Sequence, residues 1–507
     1  MNQNLYARFA AHFPADRGRL FLETPDGRRL SYADVEALSG RVANALKALG
    51  VKVGDRVAVH TEKSVEGLLL YLGAVRSGAV LLPLNTSYTP AELDYFLGDA
   101  EPALVVCDPG ETDAIQPLAT KHKVGAVETL GRKGDGTLWP KVMAAPAEAP
   151  VAELGKDDLA TILYTSGTTG RSKGAMITHE NLASNAEALC EIWRFTDRDR
   201  LLHVLPIFHV HGLFVATNTI LMAGGSMIYC ERFDAAETMR LLPRATAFMG
   251  VPTYYFRLLA RPDFGKDVTA GIRLFTSGSA PLSPETHREF HEKTGHFILE
   301  RYGMTETEMI TSNPYDRERR PGTVGFPLPG VSIRIADPET GRLLADGEVG
   351  QVEVKGPNVF KGYWRNPEKT AAEFRPDGYF MTGDLGLIDG DGYLSLVGRA
   401  KDLIISGGLN VYPAELEALI DAVPGVAESA VIGLPHADFG EAVTAVVALK
   451  PGAAVGEDVV LAAFDGQVAR FKQPKRVLFR DGLPRNTMGK IQKAALRAEY
   501  AGTYKGP

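Results

Sequence analysis

The segment Tyr164–Gly174, YTSGTTGRSKG, places glycines, hydroxyl side chains and two cations in eleven consecutive positions. Glycine lets the backbone turn tightly, hydroxyls and main-chain N–H groups supply donors, and Lys173 adds a point charge, so the run suits anionic oxygens such as those of a phosphate chain. It is not a Walker A loop, because no Gly-Lys-Ser/Thr follows the first glycine at the required spacing. A Gly/Ser/Thr run of ordinary composition reads as a flexible surface loop. This one follows the apolar run Ala160–Leu163 and is predicted to sit between a strand and a helix, which favours a built phosphate cradle. His209 and His211, in LPIFHVHGL, stand two residues apart without a third ligand or a neighbouring Cys, a poor zinc site. Arg257, in VPTYYFRLLA, puts a guanidinium group into an apolar run, and Arg301 stands just before Tyr302-Gly303; an arginine left unpaired in apolar surroundings costs several kcal/mol. Each must meet a protein carboxylate, reach solvent, or clamp a carboxylate of a ligand through two parallel hydrogen bonds.

Such groups need elements to hold them. Asp55–His60, Ala103–Cys107 and Leu201–Leu205 are short apolar or alternating runs, while Tyr32–Leu49 has a helical pattern opened by Ser31 and Asp34 at capping-box spacing. Strands interleaved with helices predict α/β layers. The apolar stretch 67–84, GLLLYLGAVRSGAVLLPL, contains Arg76 and glycines and is read as a buried helix plus strand rather than a membrane span. Beyond about residue 330, Val331–Ile335, Glu348–Val354 and Tyr393–Val397 predict an antiparallel element separated by Gly/Asp turns. A boundary is expected at Gly398–Lys401. After it come a helix from Pro413, strands in AESAVIGL and EAVTAVVAL, a helix near Val459–Phe471, a strand at Arg476–Phe479 and a last helix after Lys490. The expected architecture is a large N-terminal α/β unit, residues 1–400, with two sheets, helices and a small β element. It is followed by a small, mobile α+β domain, residues 401–507, and the chemistry falls in the cleft between them.

The chain has 507 residues, about three times the ~150-residue prior for one domain. Hydrophobic residues at 45% and charged residues at 23% exclude disordered, collagenous and disulfide-scaffold classes. A net charge of −7 gives no electrostatic reason for nucleic acid or an anionic membrane as partner. Cys107, Cys190 and Cys230 have no paired spacing and suit a reducing compartment. The N-terminal MNQNLYARFAAHF lacks the basic start and apolar stretch of a signal peptide. The expected location is the cytoplasm.

YTSGTTGRSKG resembles the phosphate-binding signature of the adenylate-forming superfamily, which includes acyl- and aryl-CoA synthetases, adenylation domains and firefly luciferase. Six further segments follow in the family's order: LPIFHVHGL (205–213), TSGSAPLS (276–283), RYGMTET (301–307), YFMTGDLG (379–386), GRAKDLIISGGLNVYPAELE (398–417) and PRNTMGK (484–490). The resemblance implies two half-reactions: a carboxylate attacks the α-phosphate of ATP to give acyl-AMP and pyrophosphate, and the thiol of coenzyme A then displaces AMP. It implies that Thr165, Ser166, Gly167, Thr168, Thr169, Gly170 and Lys173 handle phosphates. Thr305 then donates to the α-phosphate, Glu306 holds Mg²⁺, and Asp384 accepts from the ribose hydroxyls. Arg399 contacts ribose or phosphate, and Ser279 and Ala280 wall the adenine and acyl pocket. Lys490 becomes the catalytic lysine that bridges the attacking carboxylate and the α-phosphate. Lys401 is the hinge, and Gly407 and Gly408 leave room for the pantetheine arm.

His209 and Met304 are expected to fill acyl space, and ERYGMTE with its Arg301 resembles the malonyl-CoA synthetase branch. Arg301 and Arg257 are therefore expected to hold the second carboxylate of malonate, with methylmalonate tolerated. A medium-chain or aryl acyl-CoA ligase is the alternative within the superfamily. A non-catalytic nucleotide-binding protein is the alternative outside it, and would be expected to lack Lys490, Glu306 or Asp384. Lys490 is also the expected target of a lysine acetyltransferase, since acetylation would neutralise its charge.

Overall fold

The computed structural model describes residues 2–165, 172–407, 409–436, 438–486 and 489–504. Among them, two large sheets carry the N-terminal part. One runs, in spatial order, through Phe326–Pro327, Glu308–Ser312, Leu299–Met304, Leu274–Ser277, Ala247–Gly250, Arg200–His203, Ser226–Tyr229, Leu20–Glu23 and Arg29–Ser31. The other runs through Gly362–Tyr363, Lys173–Thr178, Leu159–Thr165, Val80–Pro83, Arg56–His60, Leu104–Cys107 and Ala126–Thr129. Both are parallel in the middle and antiparallel at an edge. Their central strands are largely apolar and mostly buried, as cover on both faces requires. Helices cover them, among them Tyr32–Ala48, whose first turn is closed by the Ser31–Asp34 capping box, and Val65–Ser77, which is buried along most of its length. An antiparallel sheet of Ser332–Ala336, Gly350–Lys355, Phe380–Ile388 and Leu394–Arg399 completes the large unit.

After Arg399 the apolar side chains pack among themselves: Ile404, Leu416, Val431, Val443 and Phe464 in one cluster, Ile432, Val446 and Leu496 in another. The long hairpin Val426–His436/Gly440–Leu449 is the spine of this smaller α+β unit, and Arg476–Arg480 joins it in parallel. The unit rests against the larger one through Lys450 and Glu285, 3.5 Å apart, and through Gly489 beside Thr253.

Two expectations change. The phosphate-type segment joins two antiparallel strands, Leu159–Thr165 and Lys173–Thr178, rather than a strand and a helix. KGAMIT alternates in a way that suits a strand, and the helix begins only after Thr178 caps it. The helix expected over Val459–Phe471 spans Glu457–Ala462, with turns over the residues that follow, where Asp465 and Gly466 end helical propensity. Among the described residues no helix is long and apolar enough to cross a membrane.

Candidate active site

Parallel sheets bind ligands at the carboxyl ends of their strands. Here those ends are His203, Gly250, Ser277, Met304 and Thr165, and each is followed directly by one of the segments singled out in the sequence. The fold therefore gathers motifs that lie more than a hundred residues apart in the chain.

On one side of the cleft the charges are paired. Glu306, 6% exposed, follows Leu299–Met304; Thr165 Oγ1 lies 3.3 Å and Tyr363 Oη 3.1 Å from its Oε1. Burial raises its pKa. Tyr363 Oη is also 2.6 Å from Glu373 Oε2, and Lys173 Nζ lies 3.3 Å from Glu373 Oε1 and 4.6 Å from the Tyr363 ring centre. Thr305 is half-buried in the turn before Glu306. Asp384 and Arg399 face each other as register partners of neighbouring strands, with Arg399 Nε 2.6 Å from Asp384 Oδ1 and Tyr302 Oη donating to Oδ2 at 2.5 Å. Burial opposes the charge on Arg399, but Asp384, Tyr302 and Glu306 outweigh it and hold its pKa above the ordinary value.

Lys490 comes from the smaller unit. Its loop is tied by Asn486, whose N–H donates to the Lys490 carbonyl at 2.9 Å and whose Oδ1 accepts from the Lys490 N–H at 2.9 Å. Gly489, with φ +75°, seats the loop against Thr253; a Cβ there would lie 3.0 Å from the threonine hydroxyl. The Lys490 side chain keeps solvent access and lies near enough to Arg399, Asp384, Lys401 and Asp402 to feel their charges. Desolvation by the surrounding protein brings its pKa down to about 8; Arg399 and Lys401 push it the same way, and Asp384 and Asp402 oppose them. Lys401 lies in the short turn Ala400–Asp402, and Asp402 is tied to Arg497 of the last helix at 2.8 Å. Gly407 has φ +60°, and its N–H donates to the Phe439 carbonyl at 2.8 Å.

The other side of the cleft is different. Arg301 is 4% exposed, and among the described residues its Nε and Nη2 have no hydrogen-bond partner and its guanidinium no carboxylate. Its face lies on Gly278, where an added Cβ would come within 2.2 Å of Nη1 and 2.3 Å of Cζ. Desolvation pulls its pKa down to about 9. Burial and then the Arg301 charge bring His209 down to about 4, and the same two causes hold His211 well below its usual value. Both imidazoles are thus neutral. The His211 N–H donates to His209 Nδ1 at 3.2 Å, and Ser279 Oγ, on a residue with φ +70°, is 3.3 Å from His211 Nδ1. Ala280 and Met304 are half-buried.

Arg257 does not share the environment of Arg301. On the helix Pro252–Leu259, Tyr255, Leu258 and Leu259 face inward and Phe256 and Arg257 outward, so the apolar surroundings read from the sequence belong to the other face. It lies one turn from Thr253, close enough to Arg485 for its charge to lower that pKa. Ser166, Gly167, Thr168, Thr169, Gly170 and Gly408 lie outside the described residues.

Sequence reasoning missed Gly278 as the bed of Arg301, and Tyr363 and Glu373 as partners of Glu306 and Lys173. Tyr363 sits in the aromatic-rich FKGYWRNP, a signal that was available; Glu373 carries none. Among the described residues no group of three His, Cys, Asp or Glu could enclose a metal ion. A single buried carboxylate with two hydroxyls beside it fits Mg²⁺, which keeps several waters and takes its remaining ligands from substrate oxygens.

Residues 6–364 match the family of AMP-binding enzymes, and residues 415–490 match the AMP-binding enzyme C-terminal domain. The crystal structure of ATP-bound MatB from Rhodopseudomonas palustris is 59% identical, covers 100% of both chains and superposes with a TM-score of 0.97; the apo form gives 0.86. A long-chain-fatty-acid–CoA ligase of Bacillus subtilis is 32% identical over 98% of this chain and 94% of its own. The mitochondrial malonate–CoA ligase of Mus musculus is 36% identical over 88% of this chain and 82% of its own. The chain belongs to the AMP-binding enzymes: it is an AMP-forming acyl-CoA synthetase of the adenylate-forming superfamily, in the malonyl-CoA synthetase branch.

Proposed function

We propose that this enzyme activates malonate, and tolerates methylmalonate, to form the coenzyme A thioester in the cytoplasm. The observation that carries the reading is Arg301, a buried guanidinium with two unpartnered nitrogens and, among the described residues, no carboxylate. Leaving such a charge unpaired is costly, and a ligand carboxylate removes the cost. Arg257, exposed on its helix, is proposed as a second contact for the same acid. His209 and Met304 occupy the volume a longer chain would need. Similarity to MatB and to a malonate–CoA ligase supports the same reading.

In the first half-reaction one malonate carboxylate attacks the α-phosphorus of ATP, an anhydride bond forms, and pyrophosphate leaves. Lys490 neutralises both the attacking oxygen and the α-phosphate as they approach, a stabilisation greatest in the transition state. Thr305 donates to the α-phosphate, Thr165 and Lys173 with residues 166–170 hold the phosphate chain, and Ser279 and Ala280 flank the adenine. Asp384 keeps acceptor capacity for the ribose diol while Arg399 and Tyr302 fix its orientation. Glu306 would hold Mg²⁺, which offsets phosphate charge when bound. In the second half-reaction the coenzyme A thiol attacks the acyl carbonyl and AMP departs. Rotation about Lys401 replaces Lys490 by Gly407 and Gly408, opening a path for pantetheine. Acetylation of Lys490 by a lysine acetyltransferase would stop the first step alone.

Pyrophosphate release with malonate, methylmalonate, succinate, acetate, butyrate, octanoate and benzoate tests the assignment. Malonate is expected to lead and acetate to be rejected, because a site built around a cation is left unpaired by a monocarboxylate. A preference for octanoate or benzoate would instead establish a medium-chain or aryl ligase, and no release with any acid a non-catalytic nucleotide-binding protein.

A further inference from the structure

Behind the histidines of the acid pocket lies a second buried cation. Lys63 is 6% exposed, and among the described residues it forms no ion pair. Its Nζ lies 2.9 Å from His203 Nδ1, 3.0 Å from the His203 carbonyl and 4.2 Å from the centre of the Tyr229 ring. It precedes Ser64, the N-cap of the helix Val65–Ser77, so the charge also stands at the end of a helix dipole that disfavours cations. Burial without a carboxylate, the wrong helix terminus and a neighbouring imidazole are three local conflicts at one residue, a pattern that marks function rather than folding.

The Gly212 carbonyl can only accept, so the His203 proton sits on Nε2 and Nδ1 is left to accept from Lys63 Nζ, whose pKa burial brings down to about 7. The His203 Nε2–H donates to the Gly212 carbonyl at 2.9 Å, which also accepts from Thr217 Oγ1 at 3.0 Å. Gly212 lies in a π-helical turn, His211–Ala216, and such turns are rare and cluster at functional sites. A Cβ on Gly212 would come within 2.0 Å of the Pro206 carbonyl, so the turn is tightly seated. The N–H groups of Gly212 and Leu213 both donate to the His209 carbonyl, at 3.1 and 2.9 Å, and the His211 N–H donates to the His209 ring.

The geometry points to Lys63 as a positioning residue for the acid substrate: through the His203 tautomer and the Gly212 carbonyl it sets the turn that aims His209 and His211 at Arg301. Lys63 touches no substrate. The inference rests on the reading of the Arg301 pocket as the acid site, and it assigns a role to two residues outside the family's motifs.

Lys63→Met keeps the stem and removes the ammonium. His203→Gln keeps an acceptor and a donor, while His203→Phe removes both. Pyrophosphate release is measured for each, with the KM for acid and the KM for ATP determined separately. Lys63→Met and His203→Phe are expected to raise the acid KM about tenfold, the effect of one charge-assisted hydrogen bond, with the ATP KM within about twofold of wild type. His203→Gln is expected to restore most of the acid KM. An unchanged acid KM in Lys63→Met, or acid and ATP KM rising together, overturns the proposal. Should Lys63→Met fail to fold, equal acid KM values for His203→Gln and His203→Phe overturn it instead. A wild type that prefers a monocarboxylate would remove the malonate reading only; the same variants are then compared on the preferred acid, and the positioning role stands or falls there.

Discussion

The two sides of the cleft handle charge in opposite ways. On the nucleotide side, Asp384 is met by Arg399 and Tyr302, Glu306 by Thr165 and Tyr363, and Lys173 by Glu373. On the side proposed for the acid, among the described residues, Arg301 lies buried with two nitrogens unmet and His211 Nε2 has no partner. Pairing holds charged groups in place before the ligand arrives, which suits chemistry common to every substrate. An unmet charge does the reverse: it leaves the empty pocket less stable and makes occupancy by one kind of ligand the relief. On the proposed reading, shared catalysis is thus built as satisfied structure and selectivity as an unsatisfied demand.

Lys490→Ala should break this comparison furthest, because it removes the ammonium that the smaller unit is proposed to bring to the phosphates. Acyl-AMP formation, followed by pyrophosphate release, is expected to fall about 10³-fold, the scale seen when a single transition-state donor is lost. Thioester formation from supplied acyl-AMP should continue at near the wild-type rate. Equal losses in both assays would show that Lys490 does not belong to the first half-reaction.

Arg301→Met tests the unmet demand directly. Malonate kcat/KM is expected to fall about 10²-fold, as when one member of a buried charge pair is truncated, while discrimination against butyrate shrinks. The same substitution should make the ligand-free protein more stable by about 1–4 kcal/mol, since an apolar side chain of similar length replaces a desolvated cation. Denaturant unfolding without ligand reads that gain. A variant that loses both activity and stability would mean that Arg301 is paired in solution and that the contrast between the two sides is false.

The sequence displayed the nucleotide side well and the acid side only in outline. Phosphate and ribose chemistry is carried by contiguous strings such as YTSGTTGRSKG and YFMTGDLG, and the strand ends that bring them together follow from alternating and apolar runs. Arg301 and Arg257 looked alike as letters, and only the helical phase of Tyr255, Leu258 and Leu259 separates a buried guanidinium from an exposed one. Lys63 and Gly278 act through residues 140 and 23 positions away, His203 and Arg301, and nothing local announces either contact. The phosphate segment reads as preceding a helix because the second strand of its hairpin, Lys173–Thr178, starts inside the motif, and pairing across so long a loop leaves no two-residue turn signal.

Gly278→Ala sharpens the contrast without touching a charge. The new methyl group would collide with the guanidinium of Arg301, and overpacking of that kind costs about 1–3 kcal/mol. The acid KM is expected to rise about tenfold while the ATP KM holds, because the nucleotide side keeps its own pairs. An ATP KM that rises as much as the acid KM would show that the two sides are mechanically coupled.

The smallest effect is in the pH profile. In the proposed mechanism Lys490 acts as a cation, and desolvation brings its pKa in the free enzyme down from 10.5 to about 8. Protonated enzyme dominates below that value, so kcat/KM for ATP should be flat on the acid side and fall as pH rises, roughly fourfold between pH 7 and about 8.5 for a one-proton titration. Bound ATP brings negative charge beside the ammonium and favours its charged form, so the alkaline limb of kcat, which reports the complex, should lie at higher pH than that of kcat/KM. Lys490→Arg, if it retains measurable turnover, should move both limbs out of the accessible range, because a guanidinium stays protonated. Coincident limbs in the wild type would mean that the titrating group does not face the phosphates. The falling rate would then have to be traced to the acid side, where Arg301 is drawn down to about 9.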